Sequence, residues 1–184
     1  REILTGSGES GDTGSEGLMI LIEDAIEIED WDAAAEYAWR LESDDDSLKA
    51  GIAVWSVWYS SEDYLRALQV AEDLYARYER QPDAALVYIK TLIKLDRRLQ
   101  AERIINTRLA GEANGMRKSE LFYLKSLVLD DDMERLQSLR SALFEDLQNI
   151  DALVGISRLY TKMGDIRKAY RYIRQAASIS PENE

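Results

Sequence analysis

Residues 150–183 read IDALVGISRLYTKMGDIRKAYRYIRQAASISPEN, and this stretch decides the fold. Leu153, Ile156 and Tyr160 recur at three- and four-residue spacing, which lines one face of a helix. Gly164-Asp165 interrupts the run, and Ala169, Ile173 and Ala176 resume the same period before Pro181 closes it. The pattern predicts two short amphipathic helices joined by a tight turn. Apolar residues keep this helical spacing back to Leu18, with breaks at helix-length intervals and no strand-like alternation.

Stepping back in units of 34 residues places earlier copies near 116, 82, 48 and, one residue short, 15. Position 20 of each copy then holds Ala34, Ala67, Ala101, Arg135 and Ala169. Position 24 holds Ala38, Ala71, Ile105, Leu139 and Ile173, and position 7 holds Leu21, Val54, Tyr88, Phe122 and Ile156. The break contains Asp30, Asp63, Asp96, Asp131 or Asp165, residues suited to capping the following helix. A small residue is needed where the two helices of a hairpin cross most closely, and larger apolar ones fill the space around the crossing.

The quoted stretch and its four echoes resemble the tetratricopeptide repeat, a helix–turn–helix unit that cannot bury its apolar face alone and must stack. The resemblance implies an all-α chain: a right-handed α-solenoid of about five repeats, ten helices, with a flexible N-terminal tail. The repeats fall near 15–47, 48–81, 82–115, 116–149 and 150–183. Two departures carry expectations. Arg135 stands where a small residue belongs, so the second helix of the fourth repeat is expected to shift onto Met133, Leu136, Leu139 and Leu143. Pro82 comes three residues late, which suggests a longer preceding helix over Tyr64–Arg80.

In such a solenoid the first helix of each repeat lines a concave groove. The positions that face inward in the family fall here on Met19, Glu23, Ile52, Ser56, Tyr59, Leu86, Lys90, Ile93, Lys94, Leu124, Val154, Arg158 and Lys162. Chaperone-binding members grip a terminal carboxylate with Lys at position 5 and Asn at position 9. This chain has Ile52, Leu86 or Val154 at the first place and Ser56, Lys90 or Arg158 at the second, so that clamp is not expected. An apolar groove with cationic edges instead suits a protein or peptide segment with apolar anchors. The last repeat leaves Tyr170, Ile173 and Ala177 partly uncovered in this reading, so this end is expected to meet more of the chain, a second copy or a partner.

Charge and composition narrow the function classes. Thirty-five acidic against 23 basic residues give a net charge of −12, the wrong sign for a nucleic-acid backbone. Residues 15–47 alone hold twelve acids against the single base Arg40. That hairpin reads either as a solvated cap of the array or as a docking patch for a basic partner. The absence of Cys and His removes thiol nucleophiles, imidazole-based triads and the usual zinc sites. Asp44–Asp46 and Asp130–Asp132 are consecutive acids whose side chains diverge, without the alternate spacing and glycine of a calcium loop. No catalytic residue, cofactor or metal is therefore expected. Trp31, Trp39, Trp55 and Trp58 read as packing residues rather than as a sugar-binding platform.

Residues 1–16 (REILTGSGESGDTGSE) are rich in Gly, Ser and acids and read as a disordered tether. They are not a phosphate loop, because they contain no Lys and follow no strand. The chain opens on Arg1, so an upstream segment is expected to have been removed. No apolar stretch approaches the roughly 20 residues of a membrane span. Two functional classes follow: a non-enzymatic scaffold that binds a partner segment in the groove, or an assembly subunit of a bacterial envelope complex, tethered as a lipoprotein. Cytoplasmic and periplasmic settings stay equally open.

Overall fold

The structure, a computed structural model, describes residues 14–179. The tail expected over residues 1–16 lies outside them except at its end, and so does Pro181. There Ser15 and Glu16 already stand in the first turn of a helix, where an acid complements the helix dipole.

Ten helices of 13 or 14 residues run in order: α1 (Ser15–Glu27), α2 (Trp31–Asp44), α3 (Leu48–Ser60), α4 (Tyr64–Arg77), α5 (Pro82–Lys94), α6 (Arg98–Gly111), α7 (Gly115–Val128), α8 (Asp132–Glu145), α9 (Ile150–Lys162) and α10 (Ile166–Ile179). They form five consecutive hairpins, and no strand occurs among the described residues. The fold is thus the all-α solenoid type expected from the repeats.

The turn inside each hairpin explains the periodicity. Glu29, Glu62, Asp96 and Gly164 have φ of 58°, 61°, 55° and 80°, all at position 15 of their copies. This left-handed residue ends the first helix. In three hairpins the next amide reaches back five residues to close the end: Asp30 to Ala25, Arg97 to Leu92 and Asp165 to Tyr160, each at 2.9 Å. Position 16 then caps the second helix. Asp30, Asp63 and Asp165 each accept the amide three residues on, from Ala33, Arg66 and Lys168. Asp96 departs from the expected capping role. It takes the left-handed position, Arg97 becomes the cap residue without a side-chain bond, and Asp96 pairs with Arg98 at 2.6 Å.

The fourth hairpin solves its turn differently. Leu129 and Asp131 are extended, and Asp131 alone accepts from Met133 and Glu134. Arg135 is half-buried and reaches across to α7, with Nε donating to the Ser126 carbonyl at 3.2 Å. The close approach of α7 and α8 is made by serines instead: Ser119 Oγ donates to the Ala142 carbonyl and Ser138 Oγ to the Phe122 carbonyl, both at 2.8 Å. The expected apolar face is therefore corrected at one residue. Leu136, Leu139 and Leu143 pack inward, whereas Met133 is 62% exposed because the first turn of α8 lies outside the crossing.

A longer fourth helix does not form. α4 ends at Arg77, and Tyr78 leaves helical geometry with its hydroxyl on the Asp46 carbonyl at 2.8 Å. Pro82 opens α5 as its first residue, where its missing amide proton is not needed.

The molecule divides within α5 into two compact units, Arg1–Tyr88 and Ile89–Glu184. In the first, Leu18, Ile22, Leu41, Val54 and Val57 surround the crossing alanines Ala34 and Ala38. Gly51 lets α3 lie directly on Leu74, since a β-carbon there would overlap that buried side chain. In the second, Leu136, Leu139, Ile156, Leu159 and Tyr160 surround Ala142, Ala152 and Ala169. Gly155 similarly faces Leu139.

Candidate interaction surfaces

In the first unit the residues expected in the groove divide between core and surface. Met19 is buried in the core cluster and packs there rather than offering a binding surface. Position 5 of α1 thus belongs to the core that α1 shares with α2 and α3. Glu23 is exposed, and Ile52, Ser56, Tyr59 and Leu86 are half-buried. Ser56 Oγ is spent on the Ala53 carbonyl. Tyr59 lies against Trp55 at 4.6 Å and Tyr64 at 5.6 Å between ring centroids. Trp55 is buried and Trp58 packs on the core, the roles expected of them, while Trp39 is exposed. A cavity of this unit, about 380 Å³, contains none of the expected groove residues. It lies among α2, α3 and α4, where Arg66 covers the Trp58 ring at 4.8 Å and Arg77 pairs with Asp73.

The second unit holds a cavity of about 590 Å³ among the end of α5, α7 and the start of α9. Leu124 is buried at its floor beside half-buried Tyr123, and Met116 stands at its edge, 72% exposed. Asn114 and Asn149 also line it, as the caps of α7 and α9, each holding the amide three residues on. Asn149 Nδ2 additionally donates to Ser119 Oγ at 2.7 Å, which ties the loop before α9 to the α7–α8 crossing.

Two of the lysines expected on this surface are paired. Lys90 Nζ lies 2.7 Å from Glu120 Oε1, and Lys162 Nζ lies 2.6 Å from Asp132 Oδ2. The cavity lining as a whole sets Lys90 and Arg117 against Glu120, Asp146 and Asp151. The expected cationic edge is thus largely neutralised by acids on the neighbouring helices. Those acids come from position 5 of α7 (Glu120), position 2 of α9 (Asp151) and the two ends of α8 (Asp132 and Asp146). Burial raises the Tyr123 hydroxyl above its usual pKa, with Asp151 pushing the same way and Arg158 opposing it. Tyr123 therefore stays a neutral donor at physiological pH. Ile93 and Val154 are half-buried, while Lys94 and Arg158 are exposed.

Of the expected residues, the cavity brings together only Lys90 and Leu124. Tyr123 and Met116 stand at positions 8 and 1, outside the inward positions, whereas Arg117 and Asp151 stand at position 2, an inward one, yet were not among the expected groove residues. Tyr123 occupies position 8, which is core in α3 (Trp55) and α5 (Ile89), so position alone gives no signal that it reaches a surface. Among the described residues no three His, Cys, Asp or Glu side chains are placed to hold a metal ion. No helix there is long and apolar enough to cross a membrane.

The succession of similar hairpins defines a class of fold: an all-α array of helical repeats. Residues 150–183 match the family model described as Tetratricopeptide repeat, so the last hairpin, α9 and α10, carries that repeat. Among solved structures it is similar to TTC0263, a thermophilic TPR protein of Thermus thermophilus, at 18% identity and a TM-score of 0.78, covering 92% of this chain and 93% of that one. It is also similar to MamA from Desulfovibrio magneticus RS-1, at 13% identity and a TM-score of 0.65, covering 95% and 98%. At these identities the likeness concerns the fold. No curated protein sequence matches the chain.

Proposed function

We propose that the chain is a non-enzymatic interaction scaffold that holds a partner protein segment on the second unit, over α5, α7 and α9. The fold is one generally used for protein interaction. The observation that supports this place is the cavity floored by Leu124 and Tyr123 with exposed Met116 beside it. Methionine and aromatic side chains adapt to apolar anchors at modest entropic cost. Because Lys90 and Lys162 are already paired, the favoured ligand is an apolar-anchored segment of low net charge rather than an acidic one. Ile93, Lys94, Val154 and Arg158, on the same first helices, would extend the contact.

A displayed peptide library selected on the purified chain tests this. The enriched peptides should share an apolar anchor, and Met116→Asp should weaken them at least tenfold, about 1.4 kcal/mol. Trp39→Ser, in the first unit, should leave binding unchanged. Peptides that bind Met116→Asp as well as the parent chain would remove this surface as the site.

A further inference from the structure

The last helix presents an apolar stripe that no described element covers. Ile166, Tyr170, Ile173 and Ala177 follow at i, i+4, i+7 and i+11, and the first three are 61%, 63% and 42% exposed. Beside them runs a second row, Arg167, Arg171 and Arg174, at i, i+4 and i+7. Arg171 lies over the Tyr172 ring of its own helix at 5.3 Å, whereas Arg167 and Arg174 make no ion pair among the described residues.

The complement of this surface is written elsewhere in the same chain. On α1, Glu16, Ile20, Glu23 and Glu27 follow at i, i+4, i+7 and i+11, with Asp24 adjoining Ile20. All five side chains are exposed, and none of the four acids makes an ion pair among the described residues. Arg40, the one base within residues 15–47, neutralises none of them by an ion pair there. Each helix face is about 20 Å long, matched in length and opposite in charge, with apolar side chains in each.

We propose that α10 of one copy docks on α1 of a second copy, Tyr170 and Ile173 against Ile20 and the arginine row against the glutamate row. The two faces differ, so the contact is heterologous and propagates from copy to copy rather than closing a symmetric pair. Two single-helix faces bury less than a standard stable interface, so the association is weak and concentration-dependent. None of these residues lines the cavity of the second unit, so this contact and the peptide surface stand or fall separately.

Sedimentation velocity over a concentration series provides the test, at salt of about 20 mM and about 500 mM, where screening differs strongly. The average mass should rise with concentration at low salt and fall back at high salt. Glu23→Lys with Glu27→Lys should be monomeric, and so should Arg167→Glu with Arg174→Glu. All four positions are exposed, so helicity by circular dichroism should be unchanged. Mixing the two charge-reversed variants should restore association, because each then offers one face that the other fits. A parent chain that stays monomeric at low salt overturns the proposal. So does a mixture no heavier than its components, or association of either variant at the parent level.

Discussion

At the scale of single residues, the backbone repeats more strictly than the sequence does. Position 15 is left-handed in four hairpins, yet it is occupied by Glu29, Glu62, Asp96 and Gly164. Only the glycine is free of the β-carbon penalty, about 1–2 kcal/mol for other residues. Glu62→Gly should therefore raise the thermal midpoint by about 2–4 °C for a chain of this size, and Gly164→Ala should lower it similarly, both read by circular dichroism. The aspartates were legible as turn residues, but an alignment tolerant of one position could not separate the left-handed site from the cap. Asp96 and Arg97 show how much that one position decides. The cap at Asp165 has a signature in acid. Its bonds with the Lys168 side chain and amide hold its pKa below the ordinary value. The stability it contributes is then present above the ordinary aspartate pKa and lost as pH falls through the depressed one. Asp165→Ala should melt below the parent at pH 7, and the two curves should converge near pH 2.

At the scale of elements, small residues mark where helices touch, and the kind of small residue tells how. Alanines at position 20 let the helices approach closely: Ala34, Ala67, Ala101 and Ala169 are all buried, and in the last hairpin Ser157 Oγ adds a bond to the Ala169 carbonyl at 2.9 Å. In the fourth hairpin Arg135 holds that place, and Ser119 and Ser138 make the crossing with hydroxyl-to-carbonyl bonds. A 34-residue template reads Arg135 as a defect because it does not weigh serines at neighbouring positions. Ser119→Ala should cost about 1–2 kcal/mol in urea unfolding, since it removes one buried bond and strands the Asn149 amide. Gly51 marks a tighter contact still. Gly51→Ala forces a methyl into the fully buried Leu74 and should cost about 1–3 kcal/mol. Combining it with Leu74→Val should recover part of that loss, a coupling that two independent sites would not show.

At the scale of the molecule, the hairpin count and helix order could be read from spacing, while the binding surface could not. Inward positions taken from the family assume that every first helix presents the same side chains. Met19 breaks that assumption by joining the core, and Lys90 and Lys162 break it by pairing with acids of adjacent helices. Such pairings depend on which helices become neighbours, which no single-helix pattern contains. The net charge of −12 likewise conceals a division: the unpaired acids gather on the first hairpin, whereas the cavity of the second unit is nearly balanced. A ligand of that cavity should consequently bind with little salt dependence, in contrast to any contact made through α1. Hydrogen exchange of the whole chain, with and without a library-selected peptide, reads the binding surface directly. Amides at the start of α7 and of α9 and at the end of α5 should slow on binding, with α1 to α4 unchanged. Protection confined to α1–α4, or none at all with a peptide that binds, would contradict the placement of the interaction surface on the second unit.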